Sequence, residues 1–162
     1  MGVFSAFRRR HFLTPAERDQ IAAELAGAER YTRAKIGLTI EELAAADPVD
    51  RAEALFRQWD LSQAERSVAV LVYVSAVSRN FAVVGGEEVC RLAPRAFWEI
   101  LHRDLRHHFE ERRYCDGIFK ALAQVAVQLQ HHFPPDGGTE PGAHPGDPGG
   151  PAANPETTSP IA

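Results

Sequence analysis

The sequence has few cysteines, few lysines and no long apolar run. Its two cysteines, Cys90 and Cys115, are too few for a disulfide framework, so we expect a cytoplasmic protein with reduced thiols. The longest apolar run, residues 68–74, has seven residues, whereas a membrane-spanning helix needs about 20. The three arginines at positions 8–10 are not followed by the apolar stretch of a signal peptide. The sequence therefore predicts neither a membrane span nor a secretory leader.

Positive charge is not in excess either. The formal net charge is −4, and the last 29 residues, 134–162, contain four acidic residues and no Lys or Arg. The rest of the chain therefore has 18 acidic and 18 basic residues and is neutral. A strongly basic nucleic-acid binder is disfavoured, because phosphate contacts require a surplus of positive charge.

Composition divides the chain into three parts. Residues 134–162 contain 8 of the 11 prolines, 6 of the 12 glycines and none of the 14 aromatic residues, which predicts a disordered acidic tail. Residues 12–133 contain enough apolar residues to fold alone. Residues 1–11 form a basic and aromatic segment, which either contacts an anionic lipid surface or a partner, or is a solvated N-terminus.

Local patterns in residues 12–67 predict a helix, a strand and a second helix. Thr14 and Glu17 form a capping box around Pro15, which predicts a helix that ends near Thr32. Apolar residues at 36, 38 and 40 alternate with other residues, which predicts a strand with one buried face. Asp47, followed by Pro48, predicts the start of the second helix.

Two apolar runs, residues 68–74 and 81–84, predict a central hairpin of buried strands. Pro94 predicts the start of a helix through about residue 112. The Asp116–Gly117 pair predicts a break, and residues 118–133 predict a last helix. Apolar strands with helices before and after them indicate an α/β fold in which helices cover both faces of the sheet, a three-layer αβα arrangement.

Glu87 and Glu88 are the candidate metal-binding residues. They follow a glycine pair at the end of a strand, where crevices form in open α/β sheets. Two carboxylates there could be a cation site, or simply the solvated first turn of a helix, where negative charge is stabilised. No catalytic residue and no cofactor-binding residue is assigned, and calcium is the one cofactor considered.

A group of possible zinc ligands and the two cysteines are further candidate sites. Asp104, His108 and Glu111 share one helical face, which fits either zinc ligands or, given the arginines around them, surface ion pairs. Cys115 follows two arginines, which predicts a lowered thiol pKa, but no nucleophile–base pair is assigned by spacing. Cys90 is predicted to be a small core residue.

The order of these motifs resembles the TPM domain. The matching pieces are residues 12–18 ahead of a helix, then 54–57, 70–74, 79–85, 96–98 and 109–117. The resemblance covers residues 12–133 and is greatest to short members without a signal peptide or membrane helix. It implies a mixed β-sheet sandwiched between helices. Family members include acid phosphatases, calcium-binding proteins and accessory factors for membrane complexes.

The sequence differs from the family where acidic residues are common. Val68 and Ala69 stand where Asn or Asp with Gly often precedes the central strand, and Val77 and Ser78 stand where the hairpin loop is often acidic. Calcium needs six to eight oxygen ligands, so these changes weaken a metal-assisted mechanism.

Three functions remain open on the sequence alone. The first is a non-catalytic binding or accessory module whose partner is a membrane-associated protein, of the LemA type or a longer TPM-domain protein. The second is a weak hydrolase of phosphomonoesters that binds calcium, for which Glu87 and Glu88 are the first residues to test. The third is a subunit that serves assembly alone.

Overall fold

Six helices and three strands make up residues 12–42 and 46–136, which is the part of the chain that the computed structural model describes. In chain order they are α1 (Pro15–Glu29), β1 (Lys35–Glu41), α2 (Pro48–Gln58), α3 (Gln63–Ser67), β2 (Ala69–Ser75), β3 (Asn80–Gly85), α4 (Glu87–Leu92), α5 (Arg95–Glu110) and α6 (Tyr114–His132). The predicted N-terminal segment lies outside the described residues, as does the predicted tail beyond residue 136.

Two helices begin where the capping signals place them. The Glu17 backbone N–H donates to Thr14 Oγ1 at 3.2 Å, and the Thr14 N–H donates to Glu17 Oε2 at 2.7 Å. At the start of α2, Asp47 Oδ1 accepts the Val49 N–H at 2.8 Å. Both predictions are confirmed, because capping depends on residues only two or three positions apart.

The sheet is mixed, with the strand order β1-β2-β3. Strand β1 runs parallel to β2, with Lys35 opposite Ala69, and β3 runs antiparallel to β2, with Val70 opposite Gly85. The predicted central hairpin is therefore confirmed, but the predicted burial is wrong for β3, of which only Ala82 is buried. Every residue of β2 is buried, as its continuous apolar run predicts for the middle strand of a covered sheet.

Helices cover both faces of the sheet, which confirms the three-layer αβα prediction. On one face, the even-numbered residues of β1 and β2 pack against α1, α5 and α6, and the largest buried side chains there include Ile36, Leu101 and Leu122. On the other face, α2 contributes Ala52 and Phe56 to two smaller clusters with β2 and β3.

Two further local predictions are wrong. Strand β1 is buried on both faces rather than one, because the ring of Trp59 approaches Gly37 on the α2 side. Helix α6 begins at Tyr114, so Gly117 lies inside a helix instead of breaking the chain. A Cβ at Gly117 would stand 2.7 Å from His108 Cβ, which shows that this glycine allows α5 and α6 to pack closely.

Candidate functional site

A groove of about 570 Å³ runs along β1. Residues at alternate positions of a strand share one face, and four such residues of β1 line this groove from end to end. Its opposite side is formed by the end of α2, the segment that follows it, and α3. The lining residues are Lys35, Gly37, Thr39, Glu41, Leu55, Gln58, Trp59, Asp60, Leu61, Glu65 and Leu71, and we call this surface the β1 groove.

Gly37 and Trp59 determine the shape of the floor. A Cβ at Gly37 would stand 2.7 Å from Cη2 of Trp59 and 3.1 Å from Cδ1 of Leu71. The absence of a side chain therefore lets the indole approach the strand closely. The ring of Trp59 also meets that of Phe56 edge to face, with centroids 6.3 Å apart. This contact fixes a half-buried aromatic surface inside the groove.

A hydrogen-bonded triad closes one end of the groove. Glu41 accepts two hydrogen bonds from Arg51, at 2.6 Å from Nη2 and 2.9 Å from Nε, and one from the hydroxyl of the buried Tyr73 at 3.2 Å. Hydrogen bonding to Arg51 lowers the pKa of Glu41. Burial, reinforced by the charge of Glu41, raises the pKa of Tyr73 to about 12. The Glu41 carboxylate is thus ionised and engaged by structural partners.

The other end is held by a second capping box, at the start of α3. Glu65 Oε2 accepts the Ser62 N–H at 2.9 Å, and Ser62 Oγ accepts the Glu65 N–H at 3.2 Å. The pKa of Glu65 is lowered, mainly by the Ser62 N–H and partly by the positive charge of Lys35. Arg66 donates to the carbonyl oxygens of Trp59 and Leu61, at 2.8 and 3.1 Å. These hydrogen bonds hold the segment that follows α2 against α3.

The β1 groove combines an apolar floor with four charged side chains. Its lining contains no His or Cys, so it lacks the usual nucleophile–base pairs. Two of its three carboxylates, Glu41 and Glu65, already accept structural hydrogen bonds. The third, Asp60, is exposed and has no hydrogen bond or ion pair with another described residue. What remains, besides the apolar floor, is the side chain of Asp60 together with those of Lys35, Thr39 and Gln58.

Glu87 and Glu88, the residues predicted to bind a metal, lie outside this groove in the first turn of α4. Glu88 Oε2 pairs with Arg91 Nη2 at 2.6 Å, and this hydrogen bond lowers the pKa of Glu88. Glu87 is exposed. Within residues 12–42 and 46–136, no three His, Cys, Asp or Glu side chains cluster closely enough to hold a metal ion. Calcium binding by this pair remains a prediction.

The helical cluster on α5 is made of ion pairs and hydrogen bonds. Asp104 accepts from Lys120 at 3.1 Å and from Gln124 at 3.2 Å, and His108 Nδ1 lies 2.7 Å from the backbone oxygen of Asp104. Glu111 Oε2 pairs with Arg113 at 2.6 Å. The acidic side chains are thus directed to different partners, which favours the surface interpretation.

Both expectations for the cysteines are wrong. Burial raises the pKa of Cys115, and the negative charges of Glu17 and Asp116 raise it further. Cys90 is exposed rather than part of the core. Neither thiol has the environment of an activated nucleophile.

The groove itself was not predicted from the sequence. Only one signal pointed to it: a glycine inside a strand often marks the close approach of another group, and Gly37 is such a residue. The Ser62–Glu65 pair has the spacing of a capping box and could have revealed α3. The position of Trp59 over β1 depends on tertiary packing and has no local signature.

Comparisons with known proteins agree on the fold. The family model described as the TPM domain matches residues 7–128. No curated protein matches the sequence significantly. No helix among the described residues has both the length and the apolar character needed to cross a bilayer.

Solved structures of several bacterial proteins are similar to this one. The BA42 protein of Bizionia argentinensis has a TM-score of 0.68 at 22% identity, over 78% of this chain and 88% of that one. The N-terminal domain of a P. gingivalis protein has a TM-score of 0.61 at 19% identity, covering 75% and 82%. The N-terminal domain of the cg2496 protein of Corynebacterium glutamicum has a TM-score of 0.57 at 8% identity, covering 72% and 74%. At these identities the likeness concerns the fold, and the family model, which spans most of the chain, supplies the classification: the chain belongs to the TPM domain family.

Proposed function

We propose that this TPM domain is a non-catalytic binding module and that the β1 groove receives a segment of a protein partner. The observation that carries the proposal is the groove's composition. Its floor is apolar around Trp59, and Glu41 and Glu65 are already engaged in structural hydrogen bonds. A volume of about 570 Å³ lies within the usual range for ligand sites.

The partner that we propose is membrane-associated, of the LemA type or a longer TPM-domain protein. This choice rests on the family, some of whose members look like accessory factors for membrane complexes. The choice of partner decides which proteins are tested first. It does not depend on the structure of the β1 groove.

The experiment is a pull-down of such a candidate with matched groove variants. Gly37→Val puts a branched side chain where the Trp59 ring lies and displaces that ring from the groove floor, whereas Val127→Ala changes a residue that is 63% exposed on α6. We expect the wild-type chain and Val127→Ala to retain the partner, and Gly37→Val to lose most of it while keeping a cooperative thermal transition. Equal recovery by the folded Gly37→Val variant would contradict the proposal.

Addition of millimolar calcium tests the alternative, a calcium-binding phosphomonoester hydrolase. A ligand that binds only the folded state raises its stability, by about 2.7 kcal/mol at a hundredfold excess over the Kd. For a non-catalytic module we expect the Tm with calcium to equal that with a chelator, and no turnover of a chromogenic phosphate. A Tm increase that disappears in the Glu87→Gln, Glu88→Gln double variant would instead support the hydrolase.

A further inference from the structure

We propose that two copies of this chain associate through the free edge of β3, with the two β3 strands paired antiparallel about a twofold axis at Val83. The two three-stranded sheets then form one continuous sheet. This edge lies on the far side of the sheet from β1, because β2 stands between the two strands. The inference therefore goes beyond the binding function proposed for the β1 groove and does not depend on it.

The backbone of β3 has hydrogen-bonding groups that point away from the sheet. The Gly86 N–H donates to the Ala69 oxygen at 2.8 Å, and hydrogen-bonded pairs alternate along an antiparallel ladder. The residues whose N–H and C=O groups therefore face outward are Phe81, Val83 and Gly85. We call these groups the β3 edge. Apart from the Cys90 thiol, whose Sγ lies 3.5 Å from the Gly85 oxygen, nothing in the described part of the chain hydrogen-bonds to them.

The β3 edge is partly exposed and lacks the features that keep edge strands apart. Five residues of β3 are half-buried and Ala82 is buried, whereas β1, the other edge strand, is buried at each of its five central residues. Edge strands that stay single usually have charged residues, a proline or a bulge. Strand β3 has no charged residue and no proline, and it pairs with β2 without a bulge. Such an edge favours pairing with another strand.

A twofold axis at Val83 gives the register that uses the β3 edge completely. Phe81 of one copy then lies opposite Gly85 of the other, and Val83 lies opposite its own counterpart. Each of these opposed pairs exchanges two N–H···O hydrogen bonds, so the junction contains about six. A shift of the register by two residues in either direction would leave one pair fewer.

Opposite charges at the two ends of β3 favour a second copy over an unrelated strand. Arg79 and Glu87 are each four positions from Val83, so the axis places Arg79 of one copy opposite Glu87 of the other. Gly86 is still extended, with a ψ of 169°, so Glu87 continues the direction of the strand. Both side chains are exposed, and neither has a hydrogen bond or ion pair with another described residue. The symmetry forms this ion pair twice, once at each end of the junction.

The side chains beside the β3 edge also fit this arrangement. A hollow of about 390 Å³ adjoins the edge, with Trp98 and His102 on its α5 side. The Trp98 ring already occupies the space above Gly85, since a Cβ there would stand 3.0 Å from its Cη2. Phe81 of the second copy therefore lies beside this indole rather than above the glycine. Burial, together with the charge of Arg106, lowers the pKa of His102, so its imidazole is neutral at pH 7 and suits an apolar neighbour.

The test is analytical ultracentrifugation of the full-length chain from micromolar to millimolar concentration, where we expect a reversible dimer. Arg79→Glu sets a carboxylate against Glu87 and should raise the dimer Kd about tenfold. The charge-swapped double variant, Arg79→Glu with Glu87→Arg, should return the Kd to within about threefold of the wild-type value. Arg30→Glu, at an exposed arginine that ends α1, is the matched control and should leave the Kd unchanged. Val83→Lys brings two ammonium groups together at the axis and should give a monomer throughout.

Amide hydrogen exchange reports on the strand pairing itself. Exchange at Phe81 and Val83 should slow as the concentration rises, whereas that at Val84, whose N–H the ladder directs towards β2, should change little. A monomer at millimolar concentration would overturn the inference, and dimerisation after removal of residues 1–11 or 137–162 would then assign the edge to that segment. A dimer whose Kd does not respond to Arg79→Glu, or is not restored by the charge swap, would overturn it as well. These two variants change exposed side chains, so the test is decisive even where Val83→Lys fails to fold.

Discussion

Gly86→Ala is expected to lower the free energy of unfolding by about 3 kcal/mol or more, which corresponds to a fall in Tm of roughly 10 °C or more. Gly86 is buried at the start of α4, and its N–H donates to the Ala69 oxygen at 2.8 Å. An added Cβ would collide with the backbone oxygens of Arg66 and Ser67. Its φ of −67° suits any residue, so the position requires space rather than unusual backbone freedom. Thermal and urea unfolding measure the loss.

Gly27→Ala is the matched control. Gly27 lies inside α1, and a Cβ there would have no neighbour within 4 Å. Alanine favours the helix over glycine, so this variant should be more stable than the wild type by up to about 1 kcal/mol. A Gly86→Ala protein with wild-type Tm would contradict the proposed packing of α4 against the segment before β2.

Arg51→Met is the second variant for which we expect a large loss, of about 2 kcal/mol at pH 7. The Glu41 side chain is 10% exposed, so removing its guanidinium partner leaves a nearly buried charge that only Tyr73 hydrogen-bonds. Losing one partner of a fully buried pair costs about 3–5 kcal/mol, and the 40% exposure of Arg51 reduces this value through solvent screening. Denaturant titration at several pH values measures the difference.

The pH dependence of this difference has a definite sign. The pKa of Glu41 is lowered in the folded protein, so the pair stabilises the fold above the carboxyl group's ordinary pKa, and this stabilisation disappears as the pH falls through the lowered value. The wild type should therefore exceed Arg51→Met most at neutral pH and least in acid. Arg57→Met on the same helix is the control, because its ion pair with Glu53 spans 3.9 Å between exposed side chains and should contribute little. A pH-independent difference would show that Arg51 acts through packing alone.

Local sequence signals predicted much of the fold. The signals at Thr14, at Asp47 and in the apolar run of β2 involve only neighbours in sequence. They therefore predict their helices and strand without knowledge of tertiary contacts. The interpretation of Gly117 as a breaker failed because a glycine inside a helix and one that ends it look alike until a packing partner, here His108, is known. Helix α3 was missed because five residues carry too little periodicity, whereas the first turn of α4 was one of the two interpretations of Glu87 and Glu88.

The candidate site was harder to predict than the fold. Alternation along β1 places Lys35 and Glu41 on one face, but it does not indicate what lies opposite them. The groove has its shape because the ring of Trp59, at the end of α2, packs against Gly37 of β1. The sequence pattern pointed instead to Glu87 and Glu88, whose calcium binding stays a prediction.

The hydrogen bonds of Thr32 have a consequence for the order in which the chain can fold. The Thr32 hydroxyl donates to the backbone oxygens of Leu129 and Phe133, at 3.1 and 2.6 Å, and the Arg33 N–H donates to the same Phe133 oxygen at 3.1 Å. The entry to β1 is therefore completed by residues about a hundred positions later. Contacts of such long sequence separation form late and slow folding. During synthesis, a nascent chain that ends before Phe133 has no acceptors for these donors, so the domain should gain full resistance to proteases only after the whole of α6 has left the ribosome.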